Sequence, residues 1–158
     1  MVDLDATDRR ILTLVQDDAT LSTAEIADRV GLSLSPCWRR LKRLREVGAI
    51  AGQVAILDPK AVGLTVTVFA SVTLTAHSAE NVEAFDAFVR AAPEVTECNA
   101  VTGDRDYMLK IVVADIEAYE RFVSQNLLPL GFIGAINSRF ALRRVKYSTA
   151  LPLGTEAA

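Results

Sequence analysis

Residues 30–45 read VGLSLSPCWRRLKRLR and hold the most informative pattern of the chain. Five of the seven residues from 39 to 45 are cationic. Cys37, Leu41 and Leu44 recur at i, i+4 and i+7, so they form an apolar stripe on one face of a helix. Another face carries cations at i, i+3 and i+4, namely Arg39, Lys42 and Arg43. A buried stripe behind a guanidinium-rich surface indicates a helix that binds a polyanion.

Two shorter helices are predicted before this one. The first runs from about Asp5 to Gln16, and the second begins at Ser22, where the sequence STAE matches a capping box. Gly31 suits the end of the second helix, because glycine adopts positive φ without a steric penalty. The basic helix begins at Ser33 or Ser35 and runs to about residue 47, so the sequence predicts a helix-turn-helix with the basic helix as its recognition element. The alternative is an ordinary surface helix with a solvated basic face.

The candidate DNA-binding residues lie at the start and on the polar side of the basic helix. Serine hydroxyls donate hydrogen bonds to phosphates or base edges. Forked guanidiniums suit either guanine O6/N7 or phosphate, and the sequence does not show which of the two they contact. The net charge of −3 does not exclude DNA, because residues 1–63 are neutral and residues 64–158 carry the whole deficit. The predicted set is Ser33, Ser35, Trp38, Arg39, Arg40, Lys42 and Arg43.

The second half alternates strand-like and helix-like patterns. A short strand over residues 53–57 and a hinge at residues 58–63, which contains Pro59, come first. The order after the hinge is β-α-β-β-α-β, a ferredoxin-like unit whose sheet has one open face, and a homodimer is expected to cover that face. The predicted strands are 64–75, 95–102, 107–113 and 136–146, the helices are 78–91 and 115–128, and Ile116, Tyr119 and Val123 are expected to face inward from the second of these. The fold class is therefore α+β.

Across its whole length the chain resembles the Lrp/AsnC (feast/famine) family of bacterial transcription regulators. The resemblance rests on several short motifs taken together. They are Leu4-Asp5-x-x-Asp8-x-x-Ile11-Leu12, Glu25-Ile26-Ala27-x-x-Val30-Gly31-Leu32-Ser33, Pro36-Cys37, Arg40-x-x-Arg43-Leu44, Gly48-x-Ile50, Gly103-Asp104-x-Asp106-Tyr107 and Val145-Lys146. Trp38 and the closing residues 146–153 are similar to a branch in which some members respond to cysteine.

The resemblance implies a winged-type helix-turn-helix domain, residues 1–57, and a βαββαβ domain for effector sensing and oligomerisation, residues 64–153, with a tail at 154–158. It also implies a homodimer that commonly assembles to a tetramer or octamer, double-stranded DNA as partner, and an amino acid or related small molecule as effector. In the family the turn after the second strand lies beside the ligand, and Ser138 matches a Thr/Ser position that contacts it. The candidate effector residues are Gly103, Asp104, Arg105, Asp106, Asn137 and Ser138.

Two departures from the family pattern matter. Arg105 stands where the family often has an aromatic residue, and Gly131-Phe132-Ile133 replaces a Pro-Gly-Val before the last strand. The first leaves the effector's identity open, because that turn borders the ligand. The second falls in a loop.

Other classes of function find little support in the residues. A Cys–His catalytic pair would have to use His77, the only histidine, but neither Cys37 nor Cys98 has the surroundings of an activated thiol. No zinc-ligand spacing and no phosphate-binding glycine loop occur, so we expect no metal, no cofactor and no enzyme activity. A DNA-organising protein of low specificity remains the main alternative, and its specificity ratio would reveal it. The acidic N-terminus lacks a secretory pattern, so we expect a cytoplasmic protein with two buried thiols and no membrane association.

Overall fold

The computed structural model describes residues 2–154, and these divide into two compact units. One unit holds the chain up to Ala55 together with the segment from Lys146 onward, and is called the helical unit below. The other, Ile56–Val145, is called the sheet unit. The predicted tail residues 155–158 lie outside the described part of the chain.

Three helices form the helical unit: α1 (Ala6–Asp17), α2 (Thr23–Val30) and α3 (Leu34–Glu46). The predicted capping box of α2 is confirmed, since the Ser22 hydroxyl accepts from the Glu25 amide and the Glu25 carboxylate accepts from the Ser22 amide. Gly31 then ends α2 in the left-handed region, at φ 73°. The apolar stripe of α3 is also confirmed, because Cys37, Leu41 and Leu44 are at most 2% exposed.

The sheet unit has the predicted β-α-β-β-α-β order. Its elements are β1 (Val66–Leu74), α4 (Ala79–Ala91), β2 (Val95–Ala100), β3 (Tyr107–Val113), α5 (Ile116–Phe122) and β4 (Ile133–Phe140). The strands form one antiparallel sheet in the order β2-β3-β1-β4. Val68, Ala70, Val72 and Leu74 alternate along β1 and pack beneath the two helices, where Phe85 is fully buried.

The open face of the sheet is less apolar than the sequence suggested. Phe69 on β1 is 42% exposed there, and its paired residues are Lys110 on β3 and Arg139 on β4. Ser71, the next residue of β1 on this face, is buried between Met108 and Arg139 and hydrogen-bonds both. A partner on this face therefore meets charges as well as an aromatic ring.

Four details of the prediction are wrong in this structure. Residues 53–57 form no strand, because a strand requires a neighbour to pair with and the described part of this single chain offers none; Val54 is 86% exposed. The last strand covers 133–140 instead of 136–146, ending where pairing with β1 stops. Ile116 is 60% exposed, whereas Tyr119 is buried as expected. The helix after Asp115 also changes to a π-turn at Val123–Leu127 and a 3₁₀ turn at Leu128–Leu130, which contains Pro129.

The segment after β4 returns to the helical unit. There the closing segment, residues 146–154, runs beside α1: Arg9 donates to the Leu153 carbonyl at 2.8 Å, and Gln16 exchanges two hydrogen bonds with Leu151. Leu153 packs against the helical core. The sequence predicts a single domain over residues 64–153, whereas the structure groups the residues from Lys146 onward with the helices.

Among the described residues, no helix is both long enough and apolar enough to cross a lipid bilayer.

Candidate functional site

The side of α3 opposite its buried stripe presents four polar or aromatic side chains to solvent. They are Ser35, Trp38, Arg39 and Lys42, called the outer face of α3 below. The Trp38 ring is 53% exposed, and the Lys42 ammonium lies 5.5 Å from its centroid in a cation–π contact. Lys42 also approaches Glu46 at 3.7 Å. An exposed indole on a cationic helix is costly to hydrate and offers a flat apolar surface to a ligand.

Arg40 and Arg43, the other two predicted DNA-binding cations, are held within the helical unit. Arg40 Nη1 lies 2.6 Å from an Asp5 oxygen and 2.8 Å from an Asp8 oxygen. Arg43 donates to the other oxygen of Asp8 and, at 3.4 Å, to the Asp3 carbonyl. We call Asp5, Asp8, Arg40 and Arg43 the Asp8 cluster.

Asp8 is buried, with only 1% of its side chain exposed. It also closes a reciprocal capping box with Asp5, whose side chain accepts from the Asp8 amide at 2.7 Å. That amide and the Arg40 guanidinium lower the pKa of Asp5, and the two carboxylates raise the pKa of Arg40. From the sequence, Asp8 is expected only to benefit from the positive field at the start of α1. Its spacing in Leu4-Asp5-x-x-Asp8 was visible, but the partners lie more than 30 residues away.

Ser33 and Ser35 lie at the start of α3. Ser33 is the N-cap residue by position, but its side chain makes no capping hydrogen bond. Both serines are exposed. Their hydroxyls are therefore available to an anion at the positive end of the helix.

The predicted effector residues do not come together in one place within a chain. Gly103 turns the chain after β2 at φ 114°, a conformation that favours glycine. Beyond it Asp104 is 89% exposed and pairs with the Arg105 guanidinium at 3.5 Å. Arg105 also reaches Thr73 on the open face of the sheet. This turn therefore presents one exposed carboxylate and one guanidinium.

The polar groups of Asp106 bond mainly to other residues of the sheet unit. One carboxylate oxygen accepts from the Leu74 amide at 2.7 Å, and the other lies 3.3 Å from His77 Nε2. Its backbone amide bonds the Val72 carbonyl. Asp106 thus joins the end of β1 to the start of β3, and no sequence pattern predicts its contact with His77.

Ser138 and Asn137 point to opposite faces of the sheet, because neighbouring residues of a strand alternate. Asn137 pairs with Ser71 on the open face. Ser138 pairs with Ala70 on the helix side and shares a short hydrogen bond with the Tyr119 hydroxyl. Burial raises the pKa of Tyr119, so this hydroxyl stays protonated.

A pocket of about 550 Å³ opens beside Ser138, between α5 and β4. Its walls are mainly apolar, and Ser138, Tyr119, Ser124 and Glu120 contribute the polar groups. This combination of an apolar wall and a few polar groups is typical of small-molecule sites. The sequence analysis missed Tyr119 as a site residue, because its aromatic ring fits a buried helix face equally well.

Comparison with known proteins finds one matching family model for the helical unit and another for the sheet unit. A winged helix-turn-helix DNA-binding model matches residues 4–51, and a model of the Lrp/AsnC ligand binding domain matches residues 67–151. The chain is 38% identical over 150 residues to the DNA-binding transcriptional activator DecR of Escherichia coli K12, covering 95% of this chain and 99% of DecR.

Two solved structures are similar along nearly the whole chain. An AsnC family transcriptional regulator from Agrobacterium tumefaciens superposes with a TM-score of 0.91 at 43% identity, covering 95% of this chain and 97% of that one. The transcriptional regulator NMB0573 of Neisseria meningitidis, solved as a complex with L-Met, gives 0.92 at 38% identity, with 96% and 97% covered.

Proposed function

This chain belongs to the Lrp/AsnC family of transcription regulators, and we propose that it binds operator DNA through the outer face of α3 in response to an amino acid. It is a DNA-binding regulator rather than an enzyme. We further propose that it works in the cytoplasm as a homodimer or a larger assembly of dimers.

The observation that carries the DNA assignment is the division of α3 into two faces. Its buried stripe fixes the helix on α1 and α2, so the outer face is held rigidly toward solvent. Arg39 makes no hydrogen bond or ion pair with the part of the chain described here. A rigid helix that presents a free guanidinium, an ammonium and hydroxyls matches the width and the acceptors of the DNA major groove.

Replacement of Arg39 tests this surface. We expect Arg39→Ala to weaken operator binding by roughly 1–3 kcal/mol if the guanidinium contacts a base, with discrimination relaxed at that base pair. A phosphate contact would instead weaken binding to every sequence and flatten the salt dependence by about one unit of slope. Gel-shift titrations at two salt concentrations, on a duplex selected from a random pool, measure both quantities.

Arg90→Ala is the matched control, since Arg90 is an exposed arginine on α4 that forms an ion pair with Asp86 of the same helix. It should leave DNA affinity unchanged. Equal affinity of wild type and Arg39→Ala at both salt concentrations would refute the assignment. A DNA-organising protein of low specificity is the second candidate, and a ratio of specific to random affinity near one would favour it.

The proposed effector is a free α-amino acid. Support comes from the match of the sheet unit to a ligand-binding family and from the L-Met bound to the Neisseria relative. The exposed Asp104 and Arg105 offer opposite charges for an ammonium and a carboxylate, and the Ser138 pocket offers an apolar wall. The turn at Gly103–Asp106 and the pocket beside Ser138 lie apart within one chain. We propose that the effector contacts both, either at two separate sites or as parts of one shared site. Variants at each place will distinguish these two arrangements.

A thermal-shift screen of the standard amino acids, including methionine and cysteine, identifies the effector, because a ligand that binds the folded state raises the melting temperature. Calorimetry on Arg105→Ala and Ser138→Ala then locates it. We expect at least one of them to weaken binding tenfold or more, while Asn137→Ala has a smaller effect. Asp106→Ala is unsuitable, since it also removes the anchor of Leu74. If both variants bind the effector as wild type does, both places are wrong.

A further inference from the structure

We infer that Asp8 is a specificity-determining residue, which holds Arg40 and Arg43 back from the DNA backbone so that only the outer face of α3 reads DNA. The inference rests on the proposed DNA-binding function. It assigns a role to a carboxylate on α1 that is itself buried and faces no ligand.

The geometry of the Asp8 cluster supports this role. Each of the two oxygens of Asp8 takes a different guanidinium: one lies 2.8 Å from Arg40 and the other accepts from Arg43. Asp5 adds a second carboxylate to Arg40 at 2.6 Å. Two arginines thus face two carboxylates, and the cluster has no net charge. Charge-assisted hydrogen bonds of this kind are among the strongest side-chain interactions.

The buried carboxylate of Asp8 distinguishes these two arginines from ordinary surface cations. The side chains of Arg40 and Arg43 are 32% and 42% exposed, whereas Asp8 is at 1%. If both guanidiniums turned toward a phosphate, Asp8 would remain as an uncompensated charge in a dry site, which is strongly unfavourable. A phosphate must therefore compete with a buried carboxylate for these two groups, while Arg39 and Lys42 meet no such competitor.

Helical spacing separates the two sets of cations. Arg40 and Arg43 are three residues apart and lie on the flank of α3 that faces the start of α1. Ser35, Trp38 and Lys42 follow one another at three and four residues on the exposed side. The Asp8 cluster therefore removes two of the five cations of residues 39–45 from the DNA-facing surface.

The consequence for recognition follows from the way cations bind DNA. Phosphate contacts supply almost all of the non-specific affinity, and each contributes about 0.9 to the slope of log affinity against log salt. Withholding two cations lowers affinity for random sequence, while base contacts from the outer face are retained. The ratio of operator to random binding rises as a result.

The experiment compares full-length Asp8→Asn with wild type on two probes: a duplex of random sequence, and a duplex selected by wild type from a random pool. Asparagine keeps the size of the side chain but not its charge, so it releases the arginines. We expect the salt slope on the random duplex to steepen by about 1 to 2 and the specificity ratio to fall roughly three- to tenfold. Circular dichroism melting shows whether the variant is folded.

Asp5→Asn is the matched control. It makes the same chemical change at a half-exposed carboxylate, keeps a good N-cap residue, and leaves Asp8 on both arginines. Its salt slope should equal that of wild type. The double variant Asp8→Asn/Arg43→Gln should lose about one unit of the added slope, which a structural effect of Asp8→Asn alone would not reproduce.

Four single variants test the inference independently of the stability of Asp8→Asn. Arg39→Gln and Lys42→Gln should each flatten the slope if the cation contacts phosphate, or weaken binding to the selected duplex if it contacts a base, whereas Arg40→Gln and Arg43→Gln should do neither. Equal flattening in all four would overturn the role of Asp8 and leave the proposed recognition surface intact. No change in the slope or in binding to the selected duplex in any of the four would overturn the recognition surface, and the inference with it. A folded Asp8→Asn with a wild-type slope would also overturn the inference.

Discussion

Cys98 illustrates how burial sets the chemistry of a single residue. It lies on β2 with its side chain toward the helices, and both cysteines are free thiols. Burial, assisted by the nearby Asp86 carboxylate, raises the pKa of Cys98 from 9.0 to about 11. Cys37 is fully buried in the helical core, and burial raises its pKa too. Neither thiol is therefore a reactive thiolate at neutral pH.

This shift predicts a pH dependence of stability. Because the folded pKa of Cys98 exceeds the unfolded value, the unfolded chain loses its thiol proton first as pH rises. The contribution of Cys98 to the free energy of unfolding is therefore fully present below pH 9. It is lost as the pH rises from 9 to about 11. Urea unfolding across this range should show stability falling with pH.

Cys98→Ala separates this effect from those of Tyr107 and Tyr119, whose pKa values burial also raises. The variant should retain part of the decline but with a shallower slope. A slope identical to that of wild type would show that Cys98 does not titrate differently in the folded state.

At the scale of elements, the closing segment belongs to the helical unit and runs beside α1. Its main-chain bonds to Arg9 and Gln16 order it, and the partly buried side chain of Leu153 anchors it in the core. Leu151 lies two residues earlier, and its side chain is 68% exposed. The two leucines therefore differ in exposure within one segment, so Leu151 serves as the control for Leu153.

We expect Leu153→Ser to lower the unfolding free energy of the helical unit by about 1–2 kcal/mol, since it removes buried apolar area. Leu151→Ser should change it by less than about 0.5 kcal/mol, as surface substitutions usually do. Urea unfolding followed by Trp38 fluorescence measures both. Equal losses in the two variants would mean that Leu153 is not the anchor.

The elements that the sequence predicted well are those whose signals are local. The capping box at Ser22, the glycine at 31 and the apolar stripe at Cys37 each lie within one helix, and each is confirmed. One prediction that failed, a strand at residues 53–57, depends on a neighbouring strand that sequence periodicity cannot supply. Pairing of Arg40 with Asp8, and of Leu153 with α1, joins residues too distant for any spacing rule.

At the scale of the whole molecule, exposed apolar side chains point to self-association. Val54, Ile56 and Leu57 are each at least 60% exposed, and Phe69 lies on the open face of the sheet. A second copy of the chain would cover apolar side chains that a monomer leaves in water. We expect light scattering of the full chain at micromolar concentration to give a mass of at least twice 17.1 kDa.

Replacing Phe69 with Asp tests whether the sheet face contributes to that assembly. The substitution removes the aromatic ring from this face and places a carboxylate between Lys110 and Arg139, so the mass should shift toward the monomer, or the dimer should dissociate at higher concentration. Ser35→Asp, on the outer face of α3, should leave the mass unchanged. A monomeric wild type would contradict the proposed assembly outright.

The return of the chain to α1 also sets an order of events during synthesis. Helices α1 to α3 leave the ribosome before the sheet unit, and the closing segment that completes their unit follows the sheet unit. The DNA-binding end can therefore begin to fold early, yet it reaches its final stability only after the entire sensor has been translated. A nascent or prematurely terminated polypeptide would carry the recognition helix without the support of the closing segment, so we expect proteases to cleave such a fragment more readily than the full chain.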